Sequence, residues 1–129
     1  MGSRDGKRGD PLVSRFASVA GGNELAETCY RLTQRFPKEE LYGITSQIRR
    51  AAASIPANIA EGHGRENRGE YIQFLRIAQG SLKELETHLL LSLRVGLTIS
   101  TAVEPILLQC ESQGKQLRAL IRTLQRKRE

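Results

Sequence analysis

At 129 residues the chain is the size of one domain with one core. Its 39% hydrophobic and 26% charged residues exclude a disordered polymer, and no apolar run reaches the ~20 residues of a membrane span or forms a signal peptide, which points to a cytoplasmic protein. With no Trp, three Phe and three Tyr, the core must be aliphatic, as in helix-on-helix packing, and the formal charge of +6 is unevenly placed.

Residues 1–11 are Gly-rich and charged and end at Pro11, the pattern of a disordered tail; residues 12–129 are expected to form one four-helix domain. Within the tail, Gly6 stands where a myristoylation signal needs Ser or Thr, and Arg8-Gly9-Asp10 is a coincidental tripeptide. A weakly helical stretch over residues 12–20 meets Gly21-Gly22. From Asn23, a plausible N-cap, Leu25, Cys29, Leu32 and Phe36 then recur at helical spacing until Pro37.

The second helix shows Leu41, Ile44, Ile48, Ala52, Ile55 and Ile59 at steps of three and four, an apolar stripe interrupted by Pro56. A proline there removes the hydrogen bond to the Ala52 carbonyl and costs ~3 kcal/mol unless the helix bends, so a kink is expected. Small residues from Ala51 to Ala60 permit close helix approach, and Gly62 with Gly64 supplies the stop.

Asn67 followed by Glu70 resembles a capping box opening the third helix. Its stripe is Tyr71, Phe74, Ala78, Leu82, Leu85, Leu89 and Ser92, widened by Leu75, Leu90, Leu91, Leu93 and Val95. That excess suggests burial against a neighbouring subunit or the N-terminal segment, or packing inside a single bundle. Gly96 closes this helix. Thr101 and Glu104 suggest a second capping box with Pro105 still in the first turn, and Val103, Ile106, Leu107, Cys110, Leu117, Leu120, Ile121 and Leu124 form the last core stripe. Short connections favour antiparallel neighbours, so the fold class is all-α, an up-down-up-down antiparallel four-helix bundle.

The charge gathers at the C-terminus, where residues 115–129 hold six cations against one carboxylate. Lys115, Arg118, Arg122 and Arg126 fall within roughly 80° of one another on a helix of 3.6 residues per turn, and Lys127 and Arg128 extend the charge. Such a stripe attracts RNA or DNA phosphates without reading sequence. The competing account is a solvated helix face whose cations favour the negative end of the helix dipole. No aromatic residue interrupts the stripe, so base stacking is unsupported.

Arg50 could pair with Glu84 or Glu86 across the second and third helices, a structural role. Asn58 could satisfy backbone freed by Pro56, and Glu61 lies four residues before Arg65, an ordinary helix-end pair. No nucleophile and base accompany them, so no catalytic residue is assigned and no enzyme is expected. Cys29 and Cys110 read as small hydrophobes, and with His63 and His88 far apart no metal or cofactor is called for.

Residues 36–65, FPKEELYGITSQIRRAAASIPANIAEGHGR, and 70–92, EYIQFLRIAQGSLKELETHLLLS, resemble the four-helix-bundle family named for proteins encoded in intervening sequences of bacterial 23S ribosomal RNA genes, and the likeness runs over about residues 24–127. The entry to helix 1 is less aromatic than in related sequences. Members of this family resemble the accessory variability proteins of diversity-generating retroelements, pentameric barrels that bind nucleic acid and a reverse transcriptase. The resemblance therefore implies a homopentamer with a basic, nucleic-acid-facing surface. A protein-interaction scaffold using the broad apolar surface or the kink, with no direct nucleic-acid role, is the alternative.

Overall fold

The computed structural model describes residues 11–126, with side chains from Ser18 onward. Helices α1 (Pro11–Thr33), α2 (Ile44–His63), α3 (Arg68–Arg94) and α4 (Ser100–Arg126) follow one another with a single 3-10 turn (Lys38–Glu40), and there is no strand among the described residues. Each helix packs on its neighbour in the chain, and α4 closes the ring against α1. Arg49 of α2 reaches Thr33 of α1 while Pro56 reaches Gly22, so these helices run in opposite senses. The result is the expected antiparallel four-helix bundle. The disordered tail assigned to residues 1–11 lies outside the described residues except for Pro11, which opens α1.

The core is aliphatic: Leu25, Ile48, Ile55, Ile59, Leu75, Leu85, Leu89, Leu117 and Leu120 are all fully buried. Two of the buried polar side chains are tied down across or along the bundle. The Gln113 amide of α4 donates to the Ser18 carbonyl of α1 at 2.9 Å, and the buried Thr33 hydroxyl donates to the Cys29 carbonyl at 2.8 Å. Arg49 then donates from Nε to Thr33 Oγ1 at 2.8 Å and lies 4.8 Å from the Tyr30 ring centroid, joining α1 to α2 through one guanidinium. No helix among the described residues is long and apolar enough to cross a membrane.

Several local expectations are corrected. Gly21-Gly22 does not delay the first helix; α1 runs through it because both neighbouring helices press on it there. A Cβ on Gly21 would stand 2.6 Å from Gln113 Oε1 of α4, and one on Gly22 would stand 3.2 Å from Pro56 Cβ of α2. The helical cost of two glycines is offset by close approach on two sides. Leu41 belongs to the turn before α2 and is exposed, so the apolar stripe of α2 starts at Ile44, and Pro56 lies buried inside the helix. Thr101 is not a cap: α4 begins at Ser100, the Ile99 carbonyl accepts from Val103 at 3.2 Å, and Pro105 therefore sits in the second turn on an exposed face.

The cap expected at Asn67 and the stop expected at Gly96 are present, whereas α1 ends at Thr33, before Phe36 and Pro37. Asn67 Oδ1 accepts from the Glu70 amide at 3.0 Å. Gly96 adopts a φ of 83° as the Leu97 amide bonds back to Ser92 at 2.9 Å and its own amide to Leu93 at 3.2 Å, a Schellman ending that needs the left-handed region.

Candidate nucleic-acid interface

The α4 sequence sorts itself by periodicity. Val103, Ile106, Cys110, Leu117, Leu120, Ile121 and Leu124 are buried, and that stripe turns Lys115, Arg118, Arg122 and Arg126 into water, where all four are exposed. Ion pairs among the described residues join Arg31 to Glu27, Arg65 to Glu61 and Lys83 to Glu86, so none of the four ridge cations has a carboxylate partner there. Lys127 and Arg128 lie outside the described residues.

Beside the ridge, α3 and α4 are separated by a groove. A stretch of about 270 Å³ is lined by Arg76 and Gln79 of α3 and by Arg118, Ile121, Arg122 and Gln125 of α4. Gln79 and Arg118 also line the adjoining stretch of about 570 Å³, which continues along Leu82, Lys83, Glu86, Leu107, Cys110, Glu111 and Gly114. Gly114 keeps the wall low: a Cβ there would meet Arg118 Nη1 and Leu82 Cδ2 at 3.4 Å. The groove is thus cationic toward the C-terminal half of α4 and carries its carboxylates, Glu86 and Glu111, toward the other half. Arg76 was missed in the sequence because it stands alone on α3, and only the α3–α4 register brings it to Arg118 and Arg122.

The remaining singled-out residues do not join this surface. Arg50 does not pair with Glu84 or Glu86; it is exposed and donates to Gln47 Oε1 on its own helix. Glu86 turns to the α4 side of α3, where Lys83 holds it at 3.3 Å, and Glu84 is exposed. Asn58 donates to the Ser54 carbonyl at 2.7 Å, one turn back, rather than to the Ala52 carbonyl that Pro56 leaves free. Glu61 meets Arg65 at 2.7 Å, and the same guanidinium covers the Phe74 ring at 5.0 Å. Both cysteines are buried, and desolvation pushes each thiol up to about 12. No cluster of three or more His, Cys, Asp or Glu among the described residues could hold a metal ion.

The fold and surface together define a small all-α bundle with an exposed cationic ridge on α4 that has no carboxylate partner among the described residues. The chain belongs to the 23S rRNA-intervening sequence protein family, whose model matches residues 19–119. It is similar to the crystal structure of a protein of unknown function from the S23 ribosomal protein family of Bacteroides thetaiotaomicron VPI-5482, with 25% identity and a TM-score of 0.79 over 84% of this chain and 98% of that one. No functionally curated protein matches it.

Proposed function

We propose that this is a non-enzymatic, cytoplasmic accessory protein that binds RNA or DNA through phosphate contacts along α4. The observation that carries the reading is the exposed row of Lys115, Arg118, Arg122 and Arg126 with no carboxylate partner among the described residues. The helix dipole accounts for cations in the last turn only. Lys115 lies about 16 Å up the axis from Arg126, three turns away, where that field no longer reaches. A row of this length matches a polyanion better than it matches a helix end.

The resemblance to accessory variability proteins supports a homopentamer that repeats the ridge in every subunit, with a reverse transcriptase as the protein partner. Repetition would multiply the attraction without new contacts. A protein-interaction scaffold is the second reading, supported by the exposed Leu90, Leu91, Val95, Ile99 and Leu108 where α3 ends and α4 begins.

Fluorescence anisotropy with labelled RNA at low salt tests the first reading. Binding should weaken steeply with added salt and on neutralising Arg118, Arg122 and Arg126; tight binding indifferent to both would refute it. A partner protein captured equally well after nuclease treatment would favour the scaffold, and light scattering decides the oligomer.

A further inference from the structure

Three arginines line the α3–α4 groove with no carboxylate partner among the described residues. Arg76, Arg118 and Arg122 line one concavity of about 270 Å³ with the amides of Gln79 and Gln125, and the buried Ile121 lies at its base. No carboxylate lines it, and none of the three arginines is ion-paired among the described residues. Like charges held together raise one another's energy until an anion arrives. Forked donors on two walls suit a group with several acceptor oxygens, as phosphate has.

The two ends of the concavity differ. Toward the start of α4 the groove passes between Glu86 and Glu111; Lys83 neutralises Glu86, whereas Glu111 has no cation partner among the described residues. A phosphodiester backbone continuing that way would meet a carboxylate. Toward the end of α4 the track continues onto the exposed Arg126.

We infer that the Arg76–Arg118–Arg122 concavity seats the terminal phosphate of a nucleic-acid strand, whose backbone leaves along Arg122 and Arg126. This rests on the reading of the ridge as a phosphate track and adds which part of the strand is held. A terminal monoester carries about −1.5 to −2 charges at neutral pH and three free oxygens, against a single charge on an internal diester, so three arginines discriminate in its favour.

The test uses the full chain and one internally labelled oligoribonucleotide prepared with a 5′-phosphate, a 3′-phosphate or hydroxyls at both ends. One phosphorylated form should bind about tenfold more tightly than the hydroxyl form, the gain of a charge-assisted contact. Arg76→Gln should abolish that preference, weakening the phosphorylated form about tenfold more than the hydroxyl form; Arg76 is exposed, and an unchanged thermal melt would show that the fold is intact. Equal binding of all three forms, with Arg76→Gln weakening them alike, would overturn the terminal-phosphate assignment and leave the ridge reading standing. Displacement of labelled strand by pyrophosphate, with no preference among strand ends, would make a free phosphate compound the ligand and overturn it as well. Failure of every form to bind at low salt would sink the ridge reading and this inference together.

Discussion

The salt dependence of RNA binding can be worked from the structure. Arg76, Arg118 and Arg122 line the α3–α4 groove, and Lys115 and Arg126 are exposed on α4 beside them in the chain. If each displaces one counterion from a single strand, log affinity falls with log salt at a slope of about −3.5. Raising monovalent salt from about 50 to 200 mM then weakens binding about a hundredfold. The triple variant Arg118→Gln, Arg122→Gln, Arg126→Gln keeps Lys115 and Arg76, so its slope should shrink to about −1.4 and the same salt step should cost only about sevenfold. Arg50→Gln is the control, because Arg50 is exposed on α2 and engaged with Gln47; it should leave the slope unchanged. Anisotropy titrations over four salt concentrations read these slopes directly. A triple variant whose slope matches the parent would show that the released counterions come from another surface, and the assignment of the ridge would be wrong.

Two glycines should respond oppositely to one change. At Gly80 an added Cβ would have nothing within 4 Å, so Gly80→Ala should stabilise by about 0.8–1 kcal/mol in urea unfolding; at Gly62 the new Cβ would meet Phe74 Cβ at 2.8 Å and Tyr71 Cδ1 at 2.9 Å, and a loss of about 1–3 kcal/mol is expected. Arg49→Met removes both the bond to Thr33 and the cover over Tyr30, and should cost about 1–2 kcal/mol by the same measurement; a neutral result would deny that this guanidinium couples α1 to α2. The thiols of Cys29 and Cys110 lose their protons near 9.0 in the unfolded chain but are held up to about 12 in the fold, so stability should fall as pH rises above 9, and a Cys29→Ala, Cys110→Ala variant should show a shallower decline.

How much of this was legible beforehand depends on the range of the interaction concerned. The stripes of α2, α3 and α4 follow from side-chain periodicity within one helix, and so do the Asn67 cap and the Gly96 ending, each of which is closed by neighbours three to five residues away. Gly21-Gly22 was misjudged for the opposite reason. Read locally, two glycines weaken a helix; in the fold, Gln113 and Pro56 occupy the space their missing side chains leave. Thr101 and Glu104 had the spacing of a capping box, yet the chain turns two residues earlier and places Ile99 at the cap position. Buried Gln113 was equally invisible, because its partner, the Ser18 carbonyl, is 95 residues away.

The same distinction separates the parts of the candidate site. The ridge on α4 was legible because an amphipathic helix that buries Leu117, Ile121 and Leu124 has only one direction left for Arg118, Arg122 and Arg126. The proposed Arg50 contact with Glu84 or Glu86 failed because sequence level fixes height along a bundle but not the angle around each helix. Glu86 is turned toward α4, and Arg50 finds Gln47 one turn away. Arg76 shows the converse: nothing in its own segment marks it, and only the helix beside it supplies the neighbours that give it a role. Charge on one helix therefore predicts that a polyanion is attracted, while the groove formed by two helices determines where a phosphate can be gripped. The first property survives small changes in packing. The second depends on Gly114 and the α3–α4 spacing, and is the part of the surface on which discrimination between ligands would rest.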